Sequence, residues 1–373
     1  MGFTPAHPRR PLSSSLVRPE RVWHAPTRTL ASEVWSRLPA LLWRALHPLS
    51  RERFVEAPAP APLPRLSVLT EDGWTLPVWI AAAPPGAAGE PVLLLAPLGA
   101  SVHVFRYGLG DTLVERLRAE GFCVYLVGHR IGSDAEAPVG TPAPRFDDVV
   151  SLDLPAVVDA VRAASGYPRV HVIGHGFGGQ LALAWAARTG GDAMASLAVI
   201  SAPIRFQEPP AGVRAVAEQI VAQLPARWRV PVREAGRWRA TRVEPGASAA
   251  RRRGALMHAR DDVSPETLRE VRAWMRNGAL VDRAGGFEYA SALGRVRAPL
   301  WMAAGDGDSW CPASWALPLA DAWRGGVVQV LTLPAHFDHL DSILHPEASA
   351  SVHAPLLTWL ARHKVRAWRE GGS

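Results

Sequence analysis

Residues 170 to 179 read Val170-His171-Val172-Ile173-Gly174-His175-Gly176-Phe177-Gly178-Gly179, and the fold turns on this stretch. Val170 to Ile173 is rich in β-branched apolar residues, the pattern of a buried strand. A glycine-rich turn follows at once, and the helical run Gln180 to Arg188 continues without a linker. Gly174 and Gly178 suit a turn in which strand and helix approach too closely for a Cβ. The apex of that turn is Gly176, which has no side chain to offer to chemistry.

On either side of this stretch the chain alternates between strand-like and helix-like runs. Leu66 to Thr70 and Thr75 to Ile80, separated by a turn with Glu71-Asp72-Gly73, predict a β-hairpin. Strands are expected at Val92 to Ala96, Cys123 to Val127, Ser196 to Ser201, Leu300 to Ala304 and Val327 to Thr332. Helices are expected near Thr112 to Glu120 and over Leu152 to Ala164. Such alternation predicts an α/β fold with a doubly wound, mostly parallel sheet. Ligands of these sheets bind beyond the carboxyl ends of the strands, where the Gly174 turn, the loop Gly305 to Asp308 and the loop His336 to His339 would meet.

Two regions stand outside the alternation. Residues 1–64 are rich in proline and arginine and include one amphipathic segment, Ala31 to Leu49, with Trp35, Leu38, Leu42, Leu46 and Leu49 at helical spacing and Pro39 as a kink. This N-terminal extension leads through the Pro-Ala run Ala57 to Pro64, a stiff linker, into a domain spanning 65–370. Within that domain an Arg/Trp-rich insertion of about 203–290, with helical runs at Gly212 to Leu224 and Pro265 to Asn277, is expected to form a lid over the sheet.

At 373 residues and 48% hydrophobic content the chain can bury a large core. The net charge of +7 comes with a single lysine, Lys364, and a single asparagine, Asn277, a usage that points to GC-rich coding. Basic residues are interspersed with acidic ones except at Arg251-Arg252-Arg253, so nucleic-acid binding is not expected. No apolar run is long enough to span a bilayer and no signal-peptide core is seen, which predicts a cytoplasmic protein. Cys123 and Cys311 imply no disulfide framework and lack metal-ligand spacing; no metal and no cofactor are expected.

Taken together these residues resemble the α/β-hydrolase superfamily, in particular bacterial esterase-like and lipase-like members, over roughly Leu66 to Leu360. The resemblance rests on Leu93-Leu94-Leu95-Ala96-Pro97-Leu98-Gly99, on Arg145-Phe146-Asp147-Asp148 through Asp153-Leu154-Pro155-Ala156, on Gly174 to Gly179, and on Ala304-Gly305-Asp306-Gly307-Asp308 with His339-Leu340-Asp341. It implies a nucleophile elbow at Gly174 to Gly178, an acid at Asp308, a base at His339 and oxyanion-hole amides at Leu98 and Phe177, in the chain order of that family's triad. Asp306 and His336 lie close enough in sequence to be confused with the acid and the base. Three departures are specific: Gly176 stands where the serine is expected, Ala96-Pro97 replaces His-Gly, and Gly128-His129-Arg130-Ile131-Gly132-Ser133 lacks the usual leading aspartate. Ser101, Ser201, Ser309 and Cys311 are the alternative nucleophiles, though none sits on a strand-to-helix apex.

Three functions follow. One is a non-hydrolytic protein that binds a small apolar or acyl-bearing ligand, with His175 and Trp310 among the contacts and Trp228, Trp238, Trp274 and Trp315 either lining a pocket or packing the lid. Another is an enzyme in which His339 and Asp308 act as general base without a covalent intermediate, as a lyase, oxygenase or water-activating hydrolase. The third is a structural or interaction protein with the N-terminal helix and the Trp/Arg-rich lid as docking surfaces, residues 31–49 meeting a membrane surface or another protein.

Overall fold

The computed structural model describes residues 60–107, 111–206, 259–308 and 310–368. Among them eight strands form one sheet: β1 (Arg65–Leu69), β2 (Thr75–Ala81), β3 (Glu90–Leu95), β4 (Phe122–Val127), β5 (Val170–His175), β6 (Met194–Ile200), β7 (Leu300–Ala304) and β8 (Val328–Thr332). Their order is β1-β2-β4-β3-β5-β6-β7-β8. β2 runs antiparallel to both of its neighbours, and the remaining pairings are all parallel. The chain steps outward from β3 to β4 and then returns to the other side of β3 as β5. That reversal makes the carboxyl ends of β3 and β5 a topological switch point, the place where open α/β sheets bind ligands.

Alternation along the central strands sorts side chains onto two cores. Leu93, Leu95 and Val172 face α2 (Leu154–Ser165) and α3 (Phe177–Thr189), while Val92, Leu94 and Ile173 face α1 (Leu113–Ala119) and α5 (Ala354–Arg362). All six are essentially inaccessible to solvent. Burial of this kind stabilises by about 1.5–3 kcal/mol for each large aliphatic side chain. α1 begins as its sequence dictates: the Thr112 hydroxyl accepts from the Glu115 amide and the Glu115 carboxylate accepts from the Thr112 amide, a reciprocal cap.

The hairpin, β4 and β7 fall where the sequence places them, to within a residue or two. α3 starts at Phe177 rather than at Gln180, because tertiary packing holds Gly178 and Gly179 in the helix against their low intrinsic propensity. α4 (Pro265–Asn277) matches the expected helix of the insertion and is capped by Ser264, whose hydroxyl accepts from the Thr267 amide. The expected helices at 31–49 and 212–224 and residues 57–59 of the linker lie outside the described residues. Cys123 and Cys311 are both free.

At the amino edge of the sheet three buried polar side chains meet. The His171 ring contacts Ser196 Oγ at 2.8 Å and Glu90 Oε1 at 2.9 Å. The Glu90 carboxylate also accepts from the amide of Val365, just beyond α5.

Candidate active site

β5 ends at His175, and Gly176 turns the chain into α3 with φ 52° and ψ −116°. This is a conformation that side-chain-bearing residues occupy only under strain. The turn is pinned on both sides: the Gly176 amide donates to the Ile200 carbonyl at 2.8 Å, and the Gly176 carbonyl accepts from the Gln180 amide at 3.0 Å. The backbone therefore makes a tight, pinned strand-to-helix turn whose apex residue carries no side chain.

The loop after β7 carries Asp308, whose side chain is buried. Its Oδ1 accepts from the amides of Trp310 and Cys311, each at 2.9 Å, and its Oδ2 faces His339 Nδ1 at 2.8 Å. Burial works against the charge, but the hydrogen bond and charge of His339, with the Ser201 hydroxyl and the Cys311 amide, hold the carboxyl below its ordinary range. The loop after β8 carries His339, and the two loops meet backbone to backbone. A Cβ on Gly307 would lie 2.6 Å from the carbonyl oxygen of Phe337, so no larger residue fits there.

His339 points its other nitrogen at the apex. An ideal Cβ built on Gly176 would lie 2.8 Å from His339 Nε2 and 3.1 Å from Cε1, with Pro97 Cβ at 3.3 Å. The imidazole thus stands against the bare glycine, in the space that the first atoms of a serine side chain would need. Asp308, His339 and Gly176 come together as the sequence predicts. Leu98 and Phe177, the expected oxyanion donors, follow β3 and begin α3; among the described residues neither amide donates to a backbone or side-chain acceptor.

The two expected ligand contacts are placed differently. His175 is fully buried, and its Nε2 lies 2.8 Å from the His339 carbonyl oxygen and 3.3 Å from Ser342 Oγ. Because β5 alternates faces, this residue points behind the apex and has no exposed atom for a ligand. Burial, with the nearby His339 adding to it, pushes its imidazole down to about 3. Trp310 by contrast is 71% exposed, and its amide donates to Asp308. Trp274 is buried against Phe146, Phe177 and Phe206 and packs α4 onto the domain. Trp228 and Trp238 lie outside the described residues, while Trp315 packs against Phe206.

Three of the alternative nucleophiles, Ser101, Ser201 and Cys311, are buried. Cys311 is buried, and desolvation together with the Asp308 charge pushes its thiol far up. Ser101 is buried, with its amide on the Ala259 carbonyl, and Ser309 lies outside the described residues. Ser201 has a positive φ of 49°, strained for a serine, but its hydroxyl is turned inward beside Asp308. The confusable pair resolves as well, since His339 and not His336 meets Asp308.

Sequence reasoning missed the support of the rim. Arg130, fully buried, donates from its amide and Nε to Asp153 at 2.9 and 2.7 Å and from both terminal nitrogens to Asp72 at 2.6 and 2.9 Å. A π-helical turn, Val149–Asp153, presents Asp153 to it. Asp261 accepts from the Ser133 amide at 2.8 Å and so closes the same loop. The aspartate absent from the start of that loop is thus answered by carboxylates distant in sequence.

The strand order, the elbow and the loops bearing Asp308 and His339 together define the α/β-hydrolase fold. The profile of the alpha/beta hydrolase fold family matches residues 90–250. No curated protein matches the chain. Solved structures that it resembles include an esterase from Exiguobacterium antarcticum (TM-score 0.57, 17% identity, covering 79% of this chain and 98% of that one). A hydrolase from Pseudomonas aeruginosa PA01 aligns with a TM-score of 0.54 at 19% identity, over 79% of this chain and 98% of that one. An enol-lactonase from Burkholderia xenovorans LB400 aligns with a TM-score of 0.51 at 18% identity, over 80% of this chain and all of that one. At such identities the likeness establishes the fold and not the chemistry. No helix among the described residues is long and apolar enough to cross a membrane.

Proposed function

We propose that this chain is a non-hydrolytic member of the hydrolase fold that binds a small apolar or acyl-bearing ligand at the carboxyl edge of its sheet. The observation that carries this reading is the apex. Gly176 has no oxygen to attack with, and the His339 ring stands where a serine Cβ and its hydroxyl would have to fit. Loss of the triad serine alone lowers turnover by about six orders of magnitude in an otherwise intact site. The Leu98 and Phe177 amides remain suited to receive a carbonyl or carboxylate oxygen, a contact that binding without turnover also uses. In this reading the lid comprises residues of about 203–290, and Trp310 meets the ligand at the rim.

The experiment compares the protein with its Gly176→Ser variant on short- and medium-chain esters and with a fluorophosphonate probe. The reading expects the natural sequence to neither label nor turn over, while equilibrium dialysis finds it binding medium-chain fatty acids. Ester turnover by the natural sequence that disappears in His339→Ala would overturn it.

One observation favours a second reading, a general-base enzyme without an acyl intermediate. The 2.8 Å contact between His339 Nδ1 and Asp308 orients Nε2 outward, an arrangement that a mere binding pocket does not require. Proton abstraction from an activated carbon acid, lost in both His339→Gln and Asp308→Asn, would establish that reading.

A further inference from the structure

We propose that His336, His345 and Glu347 form a binding site for a divalent transition-metal ion of the zinc type, at the outer face of the loop that carries His339. One ligand atom from each residue lies within 4.8 Å of the other two, and His336 Nε2 is 3.2 Å from Glu347 Oε2. Bonds of about 2.0–2.2 Å in a tetrahedral zinc centre put neighbouring ligand atoms roughly 3.3–3.6 Å apart, so this pair already stands near coordination spacing. Two imidazoles and one carboxylate suit zinc and its neighbours better than magnesium or calcium, which prefer all-oxygen sets.

The arrangement is held from beneath. Phe337 is buried, and both imidazoles pack on its ring, with centroids at 5.0 Å for His336 and 4.9 Å for His345. The two imidazoles are themselves 5.3 Å apart, edge to face. His345 caps the turn Asp341–Leu344 through its amide on the Asp341 carbonyl, and its own carbonyl accepts from Ala348. The Glu347 carbonyl accepts from the amides of Ala350 and Ser351, which fixes the backbone of the third ligand. The backbone that carries the ligands is therefore fixed before an ion binds, which lowers the ordering cost of binding. The His336 and Glu347 side chains are more than half exposed, so an ion reaches them directly from solvent and water completes its coordination.

The spacing His-x8-His-x-Glu matches no recognised zinc signature. Its consequence lies three residues on. An ion shared by His336 and the 345–347 turn ties the His339 loop down at both ends and narrows the positions that the base can sample.

The test uses tag-free, chelator-stripped full-length protein titrated with Zn2+ against a chromophoric competitor, and with Co2+ by visible absorption. The expected result is one equivalent of Zn2+ bound, a tetrahedral Co2+ spectrum, and a rise in thermal midpoint with the metal. His336→Ala and Glu347→Gln should each weaken binding at least tenfold and abolish the thermal shift, whereas His363→Ala, a histidine that packs on Trp359, should leave both intact. Equal Zn2+ affinity in the natural protein and His336→Ala, or no stoichiometric binding at all, would overturn the proposal. Circular dichroism of the unloaded variants separates loss of ligand from loss of fold.

Discussion

His175 reaches back from the end of β5 to hold the carbonyl oxygen of His339 at 2.8 Å, so the residue before the apex fixes the loop that carries the base. His175→Phe keeps the ring volume and removes that bond, at a cost of about 0.5–1.5 kcal/mol at pH 7. Its pH dependence identifies the cause. Burial holds the folded imidazole near 3 against 6.5 in the unfolded chain, so between those values the unfolded state takes up a proton that the folded state refuses. The stability conferred by His175 is complete above pH 6.5 and declines as the pH falls, so the gap between natural protein and variant should narrow by pH 4.5 in urea denaturation. A gap independent of pH would count against this role.

Gly176→Ala should destabilise without conferring activity. Its Cβ meets His339 Nε2 at 2.8 Å, and φ 52° with ψ −116° costs a side-chain-bearing residue about 1–3 kcal/mol. Chemical denaturation measures the loss, and unchanged stability would show that the turn relaxes where the pinned backbone predicts that it does not.

Arg130→Met strands Asp153, which is fully buried, and should cost about 3–5 kcal/mol. Adding Asp153→Leu removes the stranded carboxylate and should restore part of that loss. A double-mutant cycle reads the coupling, and simple additivity would refute the pairing as a stability determinant.

Glu270 accepts from the Phe146 amide, yet burial pushes its carboxyl up to about 7, and the charges of Asp147 and Glu266 add to the shift. The folded chain then binds more protons than the unfolded chain between pH 4.5 and 7. Its stabilising contribution is complete below pH 4.5 and is lost as the pH rises through 7. Glu270→Gln should therefore be less sensitive to pH across that window than the natural protein, as followed by thermal midpoints from pH 4.5 to 8.

Much of this was legible because it is local. Periodicity marked the strands of the sheet, glycine spacing marked the turn after β5, and Gly176, Asp308 and His339 were legible as residues that the fold brings together. The support of the site was not legible, since it depends on partners remote in sequence. Asp72 reads as an ordinary hairpin-turn residue and Asp153 as a helix-flanking acid until the sheet brings both to Arg130. The burial of His175 was not legible either, because the face on which a residue at the end of a strand emerges depends on the turn that follows. His336, His345 and Glu347 likewise look like solvated loop residues until Phe337 is seen beneath them.

The link from Val365 to Glu90 has a bearing on how the molecule is made. The two residues are 275 positions apart, and the carboxylate they share sits at the buried start of β3 in the middle of the sheet. A ribosome delivers Glu90 long before it delivers Val365. Through that interval a nascent chain has the central strand but lacks one partner of the acid buried at its start. Synthesis that stops short of the last helix would therefore leave this acid open to water and the amino edge of the sheet incompletely closed, a state that quality-control proteases and chaperones are well placed to detect.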